Sequence, residues 1–359
     1  MELLSAAVVG AGSQGRVHAL GYRSTPGVSL VGLADVDETA VGDLAAELDV
    51  AGVHRDYREM LAASRPDVVS VCTPPGLHRE VVAAAVAAGV RAVHCEKPVA
   101  LSYGDAAAMV ALAADAGVQL TVNLQRRFDP VQRGAHEWIA AGELGDVVTI
   151  EGYCPNLFDW GSHILDLVLF HRDDAVPDWV FGQLDVSVNR YVYGVFVETA
   201  SLTQIAWPDG VRATVSTGRE PHTPVLNPLA NLGLIVQGTR GRAVIQGARA
   251  TLQRFGRDDL VLDSPFDQDT RHWDRGVDPA IVAGTAEAVV DLVECLRTGG
   301  TPVLDARHGL RGAELIFATY ESSRSRRRVP LPLDRLDNAL FTGREQGFWS
   351  PVGELRSTY

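Results

Sequence analysis

Short, continuous apolar runs alternate along the first third of the chain with longer stretches whose apolar positions recur every three or four residues. The runs AAVVGAG, VSLVGLADV, DVVSVCT, RAVHCE and VQLTVN have the length and β-branched content of buried strands. Between them, QGRVHALGYR, ETAVGDLAAELD, DYREMLAAS, LHREVVAAAVAAG and YGDAAAMVALAADAG carry helical periodicity. Strict alternation of strand and helix, with strands apolar on both faces, predicts a doubly wound parallel sheet covered by helices on either side. After residue 123 the pattern changes. Strand-like runs such as DVVTIEGY, SLTQIAW, RATVSTG and GLIVQG follow one another without intervening helices. At 359 residues the chain exceeds one ordinary core, so two domains are expected, 1–123 and 124–359, with 333–359 as a tail of uncertain membership.

The first strand-to-helix turn is GAGSQG, placing Gly10, Gly12 and Gly15 in a G-x-G-x-x-G spacing with Ser13 and Gln14 between. Gly10 permits the tight turn, Gly12 lets a pyrophosphate approach the backbone, and Gly15 lets helix and strand pack closely. The helix start adds amide donors and a positive dipole end. Asp35 lies 20 residues after Gly15, at the end of the second predicted strand. A carboxylate there accepts from ribose hydroxyls and repels a 2′-phosphate, and no cation adjoins it in ADVDE, which favours NAD over NADP. Glu96 ends the run RAVHCE and Lys97 follows it, at the carboxyl edge where a dinucleotide would lie.

One further stretch, FDWGSHILDLVLF, sets Asp159, His163 and Asp166 in or just before an apolar helical run. Positions four apart share a helix face, so Asp159 and His163 read either as a proton-handling pair or as a capped helix with a satisfied core histidine.

Composition narrows the partners. A net charge of −13 argues against a nucleic-acid or anionic-membrane surface, and the basic cluster SRSRRRV at 323–329 sits where cations complement a helix C-terminus. The four cysteines form no C-x-x-C pair, so neither a disulfide framework nor a zinc site is expected. No signal sequence or bilayer-length apolar run is visible, and a cytoplasmic location is the expectation.

Taken in order, GAGSQG with Asp35, TPPGLH at 73–78, EKP at 96–98 and DWGSHILD at 159–166 resemble the Gfo/Idh/MocA family of nicotinamide-dependent oxidoreductases. The closing stretches GTRGRAVIQG and DLVECLRTGGTPVLDARHGLRGAELIFATYESSRSRRRVPLP extend the likeness over nearly the whole chain. The resemblance implies an N-terminal Rossmann domain and a C-terminal α/β domain with a large, mostly antiparallel open sheet, which serves substrate binding and assembly into a homodimer or homotetramer. It implies a cis peptide before Pro98. It implies that Gly10, Gly12, Ser13, Gln14, Gly15, Asp35, Thr73, Pro74, His78, Glu96 and Lys97 bind the cofactor. By motif position it places the catalytic set on Lys97, Asp159 and His163, with His163 as acid/base and Lys97 as its cationic partner. Arg127, Asn156 and Trp160 are candidate substrate contacts, Arg126 and Arg127 read either as substrate ligands or as braces of the domain junction, and His222 and His272 are further candidates in polar loops. The chain departs from the family at Pro75, where relatives often have Asn, and in lacking a Gly-rich run before Asp159.

The expected activity is hydride transfer between NAD and a secondary alcohol of a sugar, sugar derivative or cyclitol. Two alternatives stand beside it. One is a glycoside-processing enzyme that oxidises, eliminates and recycles a tightly held NAD. The other is a dinucleotide-binding regulator without chemistry, against which the joint presence of Lys97, Asp159 and His163 counts.

Overall fold

A computed structural model of the chain describes residues 2–218, 232–266, 268–269 and 274–355; His222 and His272 lie outside them. Two compact units divide the chain: Met1–Leu101, Asp105–Asp129 and Asp267–Leu310 form the first, and Ser102–Gly104, Pro130–Phe266 and Arg311–Tyr359 the second.

The first unit opens with β1 (Leu4–Val9), α1 (Ser13–Ser24), β2 (Val28–Ala34), α2 (Glu38–Leu48), β3 (Val53–His54) and α3 (Tyr57–Ser64). It continues with β4 (Val68–Val71), α4 (His78–Ala87), β5 (Ala92–Cys95), α5 (Tyr103–Asp115) and β6 (Gln119–Val122). The six strands pair in parallel in the order β3-β2-β1-β4-β5-β6, the doubly wound arrangement that the alternation predicts. Every residue of β4 and β5 is buried, as strands covered on both faces require. Only β3 has no counterpart in the sequence pattern, because two partly exposed residues carry no periodicity. Chain direction around the sheet reverses between β1 and β4, so ligands of such sheets bind beyond the ends of these two strands.

The second unit contributes α6 (Pro130–Ala140), β7 (Val147–Cys154) and α7 (Trp160–Phe170), then β8 (Trp179–Asp185), β9 (Asn189–Val192), β10 (Val195–Val197), β11 (Ala200–Ala206) and β12 (Arg212–Gly218). After them come β13 (Gly233–Gly238), β14 (Gly241–Gln246), β15 (Arg249–Arg254) and β16 (Leu260–Asp263). Helix α8 (Pro279–Thr298) returns to the first unit, where Gly21 of α1 lets the helices approach: a Cβ there would stand 3.3 Å from the Val289 side chain. Val289, Leu292 and Val293 complete the core of that unit with Leu4, Val8, Tyr22 and Leu33. Helix α9 (Ala306–Ser325), β17 (Val329–Pro330), α10 (Ala339–Glu345) and β18 (Glu354–Leu355) close the described chain.

Nine strands form the large sheet, in the order β16-β15-β14-β13-β7-β12-β11-β8-β17. All neighbours are antiparallel except β7 and β12. Helix α7 covers β7: Ile164 lies 3.0 Å from where a Cβ on Gly152 would stand. The tail turns back on its own chain, with β18 pairing in parallel with β9.

Among the described residues no helix is long and apolar enough to cross a membrane, and no group of His, Cys, Asp and Glu is arranged to hold a metal ion. All four cysteines are free thiols.

Candidate active site

In the first unit, the turn after β1 is shaped by its glycines. Gly10 has φ +101°, and a Cβ there would lie 2.4 Å from the Cys72 carbonyl oxygen. A Cβ on Gly15 would lie 1.8 Å from the carbonyl oxygen of Gly10. Gly12 differs: its φ of −70° suits any residue, and nothing stands within 4 Å of its would-be Cβ. The space beside Gly12 is therefore open. Helix α1 begins at Ser13 with no side-chain cap and no acidic residue in its first turn, which leaves amide donors and a positive dipole end facing that space. Arg16, one turn in, is held by Glu47 at 2.6 Å and Asp274 at 2.7 Å.

Asp35 follows β2. Its Oδ2 accepts the Ala11 amide at 2.6 Å and its Oδ1 the Asp37 amide at 2.9 Å, so the carboxylate is fastened beside the glycine turn. Thr73 and Pro74 follow β4. Gln14 Oε1 and Thr73 Oγ1 are buried with no hydrogen-bond partner. Two unsatisfied polar atoms, an uncapped helix start and an open Gly12 fit a dinucleotide. His78 is fully buried, with Nε2 2.8 Å from the Thr73 carbonyl and Nδ1 3.2 Å from the Val99 carbonyl. Burial lowers its pKa, and the Thr73 and Val99 carbonyls act against that shift.

Lys97 leaves the end of β5, followed by the cis Lys97–Pro98 bond. The preceding Glu96 turns inward, 5% exposed, with Oε1 2.8 Å from His18 Nε2. Burial alone would raise its pKa, but the bond to His18, the charges of His18 and Lys97, and Asn123 hold the carboxyl well below the usual range. Arg127 is also in this unit, buried at 3% exposure in the 3-10 turn Gln125–Phe128. Its neighbour Arg126 lies 3.5 Å from Asp129 and 3.7 Å from Asp278.

In the second unit, α7 starts from a built loop. Asn156 Oδ1 accepts the amides of Asp159 at 2.7 Å and Trp160 at 3.2 Å, capping the helix from four residues before its first residue. Asp159 has helical φ and ψ, so it and His163 share one helix face; they are 5% and 4% exposed. Trp160 is half-buried, and Asp166 is 1% exposed. The loop is anchored by Glu198, which is fully buried. Its Oε1 accepts the Leu157 amide at 2.6 Å and its Oε2 the Tyr320 hydroxyl at 2.5 Å. Burial raises the Glu198 pKa. Arg190 donates to the Pro155 carbonyl at 3.3 Å and the Thr199 carbonyl at 3.1 Å. Sequence reasoning did not single out Glu198, Tyr320 or His18. A charged residue inside the apolar run VFVETA is the one signal that could have found Glu198.

Residues 4–124 match the model of GFO_IDH_MocA, an oxidoreductase family with an NAD-binding Rossmann fold. Its N-terminal domain is thus that of the Gfo/Idh/MocA oxidoreductases. Among similar proteins, D-apiose dehydrogenase of Paraburkholderia graminis is 28% identical over 347 residues, spanning 90% of this chain and 89% of that protein. The scyllo-inositol 2-dehydrogenase (NAD(+)) of Bacillus subtilis is 32% identical over 207 residues, 56% of this chain and 55% of its own. The fold is shared along nearly the full length with levoglucosan dehydrogenase solved with NADH and levoglucosan: TM-score 0.78, 19% identity, 92% of this chain and 100% of that one. The family match accounts for the Rossmann sheet, and the shared fold extends to the large, mostly antiparallel sheet of the second unit.

Proposed function

We propose that this Gfo/Idh/MocA oxidoreductase transfers hydride between NAD and a secondary alcohol of a sugar, sugar derivative or cyclitol. The observation that carries the proposal is the Asp35 carboxylate fastened beside an open Gly12, in a chain that also keeps a buried Asp159–His163 pair on one helix face. An acceptor at Asp35 suits a free 2′-hydroxyl and opposes a 2′-phosphate, which supports NAD over NADP. The sugar and cyclitol dehydrogenases among its relatives support the substrate class.

NAD, when bound, accepts or returns the hydride. The residues of the chain manage the proton and the orientation. His163 takes the hydroxyl proton, a task to which imidazole is matched near neutral pH. Asp159 orients the ring and accepts from a substrate hydroxyl. Lys97 supplies a cationic donor to the reacting oxygen. Gly10, Gly12, Ser13, Gln14, Gly15, Thr73 and Pro74 form the cofactor cradle, braced by His78, while Arg127, Asn156 and Trp160 contact substrate. The oligomer proposed is a homodimer or homotetramer, and the location cytoplasmic.

The test follows NADH absorbance across D-apiose, scyllo-inositol, myo-inositol, levoglucosan and alkyl glucosides, with NAD or NADP, for wild type, Lys97→Ala and His163→Ala. Turnover with NAD that falls at least about 100-fold in both variants supports the assignment. Co-purifying dinucleotide with no NADH release from any compound would instead favour internal recycling or a regulatory role.

A further inference from the structure

Under the Lys97 segment lies a buried polar network that the proposed reaction does not use. Three donors converge on Glu96: His18 Nε2 at 2.8 Å and Asn123 Nδ2 at 2.7 Å on Oε1, and the Lys97 amide at 3.1 Å on Oε2. His18 Nδ1 lies 2.9 Å from Ser70 Oγ, which lies 2.8 Å from the Tyr22 hydroxyl. The His18 and His94 rings are 4.7 Å apart, and His94 Nδ1 lies 2.8 Å from Thr121 Oγ1. His18, Tyr22, Ser70, His94 and Asn123 are all fully buried.

Hydrogen counting orients the network. Asn123 must turn its amide nitrogen to the Glu96 carboxylate, so its Oδ1 is an acceptor. That oxygen and His94 Nε2 both lack a partner of good geometry, while the two side chains interact. A proton on His94 Nδ1 would leave two acceptors facing each other. With the proton on Nε2, His94 presents an N–H to the Asn123 oxygen and can receive the Thr121 hydroxyl hydrogen on Nδ1. On the other flank Ser70 Oγ links the Tyr22 hydroxyl to His18 Nδ1, and His18 Nε2 donates to Glu96. A carboxylate removed from water needs such partners, and here they come from α1, the end of β6 and the next residue, with Ser70 of β4 backing His18.

We propose that Glu96, held by His18 and Asn123, is a positioning residue for Lys97: its buried carboxylate fixes the Lys97 amide and so sets the direction in which the ammonium leaves the strand end. This rests on the role given to Lys97 above. It extends that role by tying the reactive segment to three distant parts of the sheet.

A double-mutant cycle tests it, using full-length protein and the panel alcohol that wild type oxidises fastest. Glu96→Gln is expected to lower kcat by about 10- to 100-fold, the scale of an ångström-level misplacement. In a Lys97→Ala background the same change is expected to cost less than about 2-fold, because residues acting as a unit are not additive. The NADH dissociation constant, read by fluorescence, should stay within about 3-fold of wild type, a free-energy change of under about 1 kcal/mol. A second arm needs no substrate. Amide hydrogens of residues 96–101 should exchange at least about 10-fold faster in Glu96→Gln, with β1 unchanged.

Equal proportional losses in both backgrounds, or a loss explained by weaker NADH binding, overturns the inference, as does unchanged exchange. A Lys97→Ala protein that turns over like wild type removes the reading of Lys97 itself. Collapse of Lys97→Ala beside a full-speed Glu96→Gln removes the inference alone. If Glu96→Gln is insoluble, His18→Asn, which leaves the carboxylate and Asn123 in place, takes its position in the same cycle with the same expected pattern.

Discussion

Gly10 and Gly12 are two residues apart, yet a methyl group added at each meets different obstacles. At Gly10 it meets the Cys72 carbonyl at 2.4 Å in a left-handed backbone, so Gly10→Ala should cost about 1–3 kcal/mol and lower the melting temperature. At Gly12 the methyl enters empty space in an ordinary conformation, so Gly12→Ala should keep stability within about 0.5 kcal/mol. Its methyl would occupy the path of a pyrophosphate, and NADH affinity should fall at least about 10-fold, an effect of about 1.4 kcal/mol. Calorimetry beside NADH titration separates the two; a Gly12→Ala protein that binds NADH normally would remove the cradle reading. Asp35→Ala should shift preference toward NADP, measured as the ratio of dissociation constants, because it removes the carboxylate that opposes a 2′-phosphate.

At the scale of elements, α7 depends on Asn156 and Glu198. Replacing Asn156 with Ala removes the oxygen that caps Asp159 and Trp160, and about 1–2 kcal/mol of stability should go with it, visible in urea unfolding. The sheet interior carries a pH signature. Burial, reinforced by the neighbouring His18, pushes His94 down to about 3, against the bonding from Asn123 and the charge of Glu96. Unfolding releases a histidine that binds a proton below its ordinary 6.5, so this group withdraws stability as pH falls from about 6.5 to about 3, by about 1.4 kcal/mol per pH unit. His94→Asn should flatten that limb in acid unfolding curves; an unchanged slope would mean the ring titrates in the folded protein.

These elements also show what the pattern of residues could reveal. Strands such as RATVSTG and GLIVQG were legible because half their residues must be apolar and the turns between them are marked. The Gly10–Gly15 spacing and the Asp159–His163 interval were legible because local geometry demands them. Glu198, Tyr320 and His18 were not, since their partners lie 41, 122 and 78 residues away and no periodicity records a long-range hydrogen bond.

For the whole molecule, the decisive feature is the return of residues 267–310 to the first unit. Alternation of strands and helices gives no warning of it, because α8 follows the strands of another sheet. Residues 1–129 alone would leave Gly21, Tyr22 and Leu33 without the Val289, Leu292 and Val293 packing. That fragment should aggregate or bind ANS, whereas 1–129 joined by a flexible linker to 274–310 should stay soluble and bind NADH. Equal behaviour of the two fragments would mean α8 adds nothing to that core.

The same return sets an order of events during synthesis. A ribosome must make all of Pro130–Phe266 before the helix that seals the nucleotide half emerges. The nascent chain therefore carries an unfinished hydrophobic seam through most of translation, and a pause or truncation in the second sheet leaves the first one exposed to chaperones and proteases. Damage far downstream in the coding sequence would then be read out as loss of dinucleotide binding.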